Sequence, residues 1–574
     1  MSLIKETEKY ISNILISLGY VIDNVSIIPS NMKQYGDFQL DFAMAIAKKY
    51  HENPREVANK VVSLIDDRLR DVNIQGPGFI NFKFNKGLLL EYSNKGIKDF
   101  GIYVDKVLSK KIIIDYGGAN AAKKLHVGHM RSANIGEALK RLARLYGNDI
   151  LGDVHLGDLG RQSGMLIYQL KKEHPELVFF DKDYQGEYPE ISLTANDLGR
   201  MYPEANSAAQ ESEEVMNEVR EITSLVESGY KPYRNLWCQM LKISSEEIKK
   251  VYDELNCHFE IWDGELNSLE YVPKIMEIMK PYVYESDGAI VMDVQEDGDT
   301  LTIPPLMIIK SNGSTIYSTR DLATLYKRME VYKPDEVWYV VDDRQGLYFT
   351  QIFRGAYKSG LVPSSCLLKH FGFGTINGSD NKPFKTRSGG VMELSMLIDL
   401  VKKEIYPKIK EDISLEDRDE IANKLSIATL KFADLLPYRK TDYIFDPVKF
   451  SSLVGKTGVY ILYSLVRMKS LLKKVEDKDY VISDILNEDV DNILNKILLL
   501  PKQLYLSYKE ASLNYITEYL YQLVCLYNKF YNDNNVLNEV DMVKRESYIA
   551  MTKLVYNICH NILEILAIDE VEKM

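Results

Sequence analysis

Two histidines flank a glycine in His126-Val127-Gly128-His129, between the β-branched run KIIIDYGG (111–118) and a stretch with helical periodicity. At a strand-to-helix turn both imidazoles can face one ligand, and the glycine lets a nucleotide approach the backbone. The free N–H groups and positive potential of a helix start favour phosphate. Two imidazoles there can hydrogen-bond the charge that grows on an α-phosphate during adenylyl transfer. Read without that context, the four residues are equally a surface histidine pair or half of a metal site. A second element, Lys385-Thr386-Arg387-Ser388-Gly389-Gly390, is a basic, glycine-ended stretch before a helical segment. Such a loop can close over a triphosphate; a basic surface loop has the same composition.

The histidine turn needs a strand before it and a helix after it. The run 111–118 reads as a buried parallel strand. A helix is expected from about Arg131 to Tyr146, with Ile135, Ala138, Leu139, Leu142 and Ala143 on one face and Gly147 ending it. DILGDV (149–154) is the next strand. Strand, glycine turn, helix and strand open a doubly wound, Rossmann-like α/β domain. The strand pattern returns at TLTIPPLMIIK, EVWYVVD and LLKHFGFGTI. The acidic stretch 171–295 reads as a helical insertion. Residues 1–108 mix helices and strands: an opening amphipathic helix, two helices split at Asn53-Pro54, and the alternating strand GPGFINFKF. From about Ser395 helical periodicity dominates. The division expected is therefore an α+β domain (1–108), the α/β domain (109–394), a helical connector (395–447) and an all-α bundle (448–574).

Bulk properties agree. A length of 574 residues suggests three to four domains, and 45% hydrophobic with 27% charged residues is ordinary for globular cores. The N-terminal segment carries charges every few residues, unlike a signal peptide. No apolar run approaches the roughly 18 residues of a membrane span. Five scattered cysteines without a CxxC pair indicate neither a disulfide framework nor a zinc site, so no metal centre is expected and the cytoplasm is the expected location. A net charge of −12 argues against a protein that coats nucleic acid, but a local basic patch is compatible with it.

The order and spacing of the two basic elements resemble the class I aminoacyl-tRNA synthetases, whose H-x-G-H and K-M-S-K-S signatures stand in these places. ANAAKKLHVGHMRSANIGEAL, VHLGDLGRQSGMLI, IYSTRDLATL, YVVDDRQGLYFTQ and KPFKTRSGGV resemble the arginyl branch in sequence and order. So do GDFQLDFAMAIAKK, GPGFINF, GVYILYSLVRMKSLLKK and LYNKFYNDNNV, and the resemblance spans essentially the whole chain. It implies attachment of L-arginine to tRNA(Arg) through an arginyl-adenylate, with ATP, Mg²⁺ accompanying ATP, and a monomer. By the same resemblance His126, Gly128, His129, Phe373, Lys385 and Arg387 meet ATP, and His126, His129, Lys123 and Lys385 serve catalysis. Lys123 stands in for the second loop lysine, replaced here by Ser388; read alone it is an exposed lysine beside Lys124. Tyr317, Asp321 and Gln345 fall on the guanidinium pocket, where a carboxylate makes a paired fork with a guanidinium that lysine cannot reproduce. Without the resemblance, Asp321 is a solvated first-turn aspartate. Asp115, Asn120 and His126 fall on the site of the amino acid's α-amino and carboxylate end, although relatives often carry the longer Glu at the first of these. His155, Gly157 and Asp158 belong to a further family block, or to a cap and turn.

For tRNA, the resemblance places Phe79 and Asn81 at the elbow and Tyr460, Tyr463, Arg467 and Lys469 at the anticodon. An aromatic side chain can stack on a splayed base and an amide can read its edge; Phe79 as core and Asn81 as a strand-edge residue fit the sequence equally. Two other function classes remain. A small-molecule nucleotidyltransferase would lack the helical tail. A non-enzymatic tRNA- or arginine-binding paralogue would be expected to have lost His126, His129 or Asp321, all of which are present.

Overall fold

Ile112, Ile113 and Ile114 leave the first sheet strand no polar face, and all three are fully buried in strand β1 (Lys111–Asp115). The protein is represented by a computed structural model that describes residues 2–121, 123–311, 313–378, 381–382 and 392–574. Strands β1, β2 (Asp149–Asp153), β3 (Glu336–Tyr339) and β4 (Leu367–His370) form one parallel sheet in the order β4-β3-β1-β2. After β1 the chain turns through Gly117 and Gly118, whose φ values of 89° and 56° suit glycine. Helix α1 (Val127–Leu145) follows, with the apolar face read from sequence buried against the sheet. It starts four residues earlier than the periodicity predicts, because a histidine side chain caps it.

The insertion carries its own core. Helices Arg161–Glu173, Ala195–Glu211, Glu213–Glu227 and Lys231–Glu254 bury Leu166, Leu170, Met201, Ile222, Trp237 and Met240 among them. The segment TLTIPPLMIIK departs from expectation. Its strand Leu306–Ile309 leaves the parallel sheet and pairs antiparallel with Ala289–Met292, which pairs with Tyr284–Ser286. An insertion ending at 295 would cut that sheet in two. Apolar alternation marks a strand but says nothing of which sheet it joins. Helix α2 (Tyr317–Val331) then leads back into β3.

Near the N-terminus, strands Ile27–Pro29, Phe38–Leu40, Phe79–Phe84 and Leu69–Gln75 lie side by side in that order, all antiparallel. The Asn53 side chain caps helix Pro54–Val62, at the break read from sequence. Helix Lys86–Lys98 docks on the C-terminal helix Met542–Ile565, where Asn557 donates to the Ile97 carbonyl (2.8 Å). Nearby, the Asn94 amide exchanges two hydrogen bonds with the Ile482 backbone. The C-terminal bundle packs that helix with Gly458–Leu472, Glu488–Ile497, Leu500–Lys509 and Asn514–Asp533.

One buried cation ties these parts together. Arg131, on α1 and 1% exposed, donates through Nη1 to the carbonyls of Gly374 (2.7 Å) and Thr375 (3.2 Å). Nη2 donates to the carbonyls of Arg439 (3.1 Å) and Thr441 (3.2 Å), and Asp434 supplies the counter-charge at 3.3 Å. Arg439 in turn donates to the carbonyls of Ala511 (2.9 Å) and Gly372. The helix of the histidine turn, the strand leading toward the basic loop and a turn of the bundle thus meet on two guanidinium groups. Arg131→Met should destabilise the fold by about 3–5 kcal/mol, since it strands Asp434 and four carbonyls in the interior. Thermal unfolding and soluble yield check this: a wild-type midpoint in the variant would mean that the tie is dispensable.

Candidate active site

The histidine turn fixes its own protonation. His126 is the N-cap of α1, and its Nδ1 accepts the Gly128 N–H (3.1 Å). His129 Nδ1 accepts the His126 N–H (3.0 Å), and the two rings stack with centroids 3.7 Å apart. A neutral ring that accepts at Nδ1 carries its proton on Nε2. The pair therefore offers two N–H donors. Burial lowers the affinity of both rings for a second proton, aided by the nearby Lys123 charge. For His129 the pKa falls to about 3, with burial first, then His126, then Lys123 as causes. Both imidazoles are thus neutral hydrogen-bond donors near pH 7 rather than cations.

Around the turn, the Val127 N–H donates to the Met392 carbonyl (3.3 Å) and the Leu394 N–H to the Leu125 carbonyl (2.9 Å). The chain leaving the basic loop is thereby stitched onto the histidine turn. Lys385 and Arg387 themselves lie outside the described residues. Lys123 is exposed and sits over the Tyr202 ring at 5.5 Å, on the insertion side of the turn. Lys124 is paired with Glu393 (3.0 Å). Phe373 is buried, its ring 5.9 Å from the Arg131 guanidinium.

Beside this turn lies an acidic pocket at the carboxyl ends of the strands, where open α/β sheets bind their ligands. Asp115 ends β1 and Asp153 ends β2. The Arg328 guanidinium spans both, at 2.6 and 2.5 Å, and donates to the Tyr339 hydroxyl at the end of β3 (3.0 Å). His155, held at φ 35°, lies against both carboxylates. Its Nδ1 is buried without a partner among the described residues, and its Nε2 lies 3.5 Å from Thr324 Oγ1. Asp321 accepts from the Tyr348 hydroxyl, and Glu265 is paired with Arg320. Asp158 accepts the Leu266 N–H (2.8 Å) and so anchors the short helix that carries Glu265.

These carboxylates are short of positive charge. Burial pushes Glu265 up to about 7 despite Arg320, and Asp158 up to about 6 despite its backbone bond to Leu266. Asp321 is raised by burial against the opposing Tyr348 hydrogen bond, and Asp115 by burial against Arg328. A pocket of this kind gains most from a ligand that brings its own cations.

The structure brings together most of the residues named from sequence. Tyr317 and Asp321 lie one turn apart at the start of α2, as their spacing predicts. Tyr317 is 62% exposed with Arg320 stacked on its ring at 4.9 Å. Asn120 bridges to Gly157, and a Cβ at 157 would stand 2.6 Å from Asn120 Oδ1, so a larger residue there would displace the Asn120 amide. Gln345 is exposed in the 3₁₀ turn Asp343–Gln345 at the pocket's edge. Glu265, Arg320, Arg328 and Tyr348 were not anticipated. Their one sequence signal is the R-D and K-R pairing within STRDLATLYKRM; Glu265 sits in an unpatterned segment of the insertion.

The residues expected at tRNA differ in exposure. Asn81 is 1% exposed, and its Oδ1 accepts from the Ser30 hydroxyl (2.8 Å). It lies on a strand paired on both edges. Phe79, at the start of that strand, is half-buried. Lys469 is paired with Glu570 (2.6 Å) and Glu572 (2.7 Å). Tyr460 accepts from Asn528 (2.8 Å) between helices, while Arg467 is sandwiched between the Tyr463 and Tyr531 rings at 5.1 and 5.0 Å.

Comparison with known proteins gives three family matches. Residues 98–447 match the model described as tRNA synthetases class I (R), catalytic domain. Residues 5–84 match the arginyl tRNA synthetase N terminal domain, and 461–574 the DALR anticodon binding domain. Arginine–tRNA ligases of Alkaliphilus oremlandii and Agathobacter rectalis are each 38% identical over the full length of both chains. The crystal structure of arginyl-tRNA synthetase from Plasmodium falciparum superimposes with a TM-score of 0.81 at 21% identity, covering 100% of this chain and 99% of that one. The Thermus thermophilus structure gives 0.80 at 18% identity over the whole of both chains.

Proposed function

The chain belongs to the class I arginyl-tRNA synthetases and is a ligase that joins arginine to tRNA, and from this premise we propose how its residues divide the work. The observation that carries the reading is the under-neutralised carboxylate pocket beside two neutral imidazole donors. L-Arginine brings a guanidinium and an α-ammonium. Asp321, backed by Tyr348, and Glu265 take the guanidinium, with Tyr317 and Gln345 closing the rim. Asp115, oriented by Arg328, and Asn120 take the amino acid's other end.

The carboxylate of bound arginine attacks the α-phosphorus of ATP, pyrophosphate leaves, and arginyl-adenylate remains. The Nε2–H groups of His126 and His129 hydrogen-bond the phosphate oxygens as charge develops on them. Lys123, Lys385 and Arg387 neutralise the departing pyrophosphate. The 2′-hydroxyl of the terminal tRNA adenosine then attacks the arginyl carbonyl, and AMP leaves. No side chain forms a covalent intermediate; positioning and electrostatics supply the rate. Mg²⁺ arrives with ATP. Asp115, Asp153 and His155 are the grouping of metal-ligating side chains found among the described residues, and Arg328 already serves it as counter-ion. The domains divide as 1–108 for the tRNA elbow, 109–394 for catalysis and 448–574 for the anticodon, in a cytoplasmic monomer. The stacked Arg467 with Tyr463 and Tyr531 is the aromatic, cationic surface suited to unstacked bases. Among the described residues no helix is long and apolar enough to cross a membrane.

Arginine-dependent ATP–pyrophosphate exchange tests the reading. Exchange with arginine, none with lysine, and a requirement for tRNA are expected; absence of exchange from folded protein would favour a non-enzymatic paralogue. Alanine at His126 or His129 should lower the exchange rate by about 10²–10³-fold. The pocket also sets a pH dependence. Glu265 is protonated below about 7 in the free pocket and must ionise to hold a cation, so arginine affinity is full above that pH and weakens as pH falls through it. Arginine binding measured across this range should release protons, and Glu265→Gln should bind weakly with a flattened profile. An unchanged profile in that variant would remove Glu265 from the pocket.

A further inference from the structure

Tyr348 lies in the first turn of helix Gly346–Lys358, just after the turn that carries Gln345, and its hydroxyl donates to Asp321 Oδ2. Both side chains are half-buried. Among the described residues this is the one hydrogen bond made to the Asp321 carboxylate, and no ion pair reaches it. The hydroxyl occupies one oxygen of the acid without bringing positive charge, so the pocket stays short of cations. Burial first, and then the neighbouring Asp321, raise the proton affinity of the phenol, which keeps the hydroxyl a donor near pH 7. The same bond opposes the effect of burial on Asp321.

Donor and acceptor are each held from behind. The Tyr348 ring meets Phe349 edge-on at 5.5 Å, and Phe349 is buried against Tyr339 (4.8 Å) and His370 (5.0 Å). Further along the same helix, Gln351 donates to the Pro304 carbonyl (2.6 Å). Arg354 donates to the Val294 carbonyl (3.1 Å) and pairs with Asp299 (2.7 Å). On α2, the turn that carries Asp321 is tied down by Ser318 and Thr319, whose hydroxyls donate to the carbonyls of Met307 and Ile308 in strand Leu306–Ile309. Two helices anchored on one small sheet thus bring the phenol to the acid, and the contact does not depend on a ligand. A side chain supported in this way can hold its partner in one orientation.

We propose that Tyr348 is the positioning residue that makes the guanidinium end of the pocket take only donors: by donating to Asp321 it fixes that acid as an acceptor, which arginine satisfies and its neutral ureido isostere, citrulline, does not. The proposal rests on the assignment of Asp321 to the arginine pocket and adds what orients that acid. A guanidinium presents N–H donors and no acceptor, whereas a ureido group carries a carbonyl oxygen in place of one nitrogen. Against an acid that only accepts, this oxygen meets lone pairs and loses its hydrogen bonds to water without replacement. Without the hydroxyl, the acid is free to turn, or to take a proton and donate it to the ureido oxygen. Tyr348 touches Asp321 and not the reacting atoms, so it acts on specificity and binding and not on the chemical step.

Tyr348→Phe keeps the ring and removes the hydroxyl alone. Arginine-dependent ATP–pyrophosphate exchange is measured on the full-length wild type and variant, with citrulline as competitor. The variant should show an arginine KM raised about tenfold, with kcat and the ATP KM near wild type. Its citrulline inhibition constant should equal the wild-type value or fall below it, so that the preference for arginine over citrulline narrows by at least about tenfold. A role in packing alone would weaken both ligands in parallel and leave that preference where it was. A wild-type arginine KM in the variant, or a preference that does not narrow, citrulline without detectable inhibition included, would overturn the proposal. Asp321→Asn tests the reading beneath it: a wild-type arginine KM there would remove Asp321 from the pocket, whatever Tyr348→Phe does.

Discussion

Buried negative charge is the constraint around which the catalytic domain is organised. Asp115, Asp153, Asp158, Glu265 and Asp321 converge at the carboxyl ends of the parallel strands, and Arg320 and Arg328 are the guanidinium groups placed in contact with them. An interior with such an imbalance is tolerated only if carboxylates keep protons or a cation arrives from outside. The first option appears in the raised affinities of Glu265 and Asp158. The second is the substrate. On the reading proposed above, selectivity for a dicationic amino acid follows from the electrostatics of the fold, before any ligand contact is made.

The phosphate half of the site uses the opposite device. It carries neutral donors, not charge: two imidazoles whose tautomers are set by backbone N–H groups inside one helix turn. On the reading proposed above, neutral donors leave the triphosphate's charge to cations from elsewhere. The result is an anionic pocket beside a neutral turn. Backbone hydrogen bonds stitch 392–394 onto 125–127 and so hold that segment at the turn.

Sequence reading captured the parts whose chemistry is local. The histidine pair, the i, i+4 placement of Tyr317 and Asp321, the parallel strands and the helical tail all follow from short-range patterns, and the structure has them. Long side chains that act across domains left no such pattern. Arg131 and Arg328 are single basic residues in helices, indistinguishable in sequence from surface arginines, yet each is buried with several acceptors. The partners of Asn81 and Lys469 are equally nonlocal, Ser30 in one case and Glu570 with Glu572 in the other. Strand Leu306–Ile309 was legible as a strand, but its partner lies outside the parallel sheet, and pairing is a nonlocal choice.

The tie made by Arg131 has an evolutionary corollary. Its acceptors are main-chain carbonyls of Gly374, Thr375, Arg439 and Thr441. A carbonyl is present whatever the side chain, so drift at Thr375 or Thr441 is invisible to the guanidinium. Asp434, the Phe373 and Tyr443 rings and the close packing at Gly374, where a Cβ would stand 2.6 Å from Asp442, constrain identity around it. Homologous chains could therefore diverge widely along both segments and still assemble the same junction, and residue covariation would understate how strongly this one arginine joins the domains.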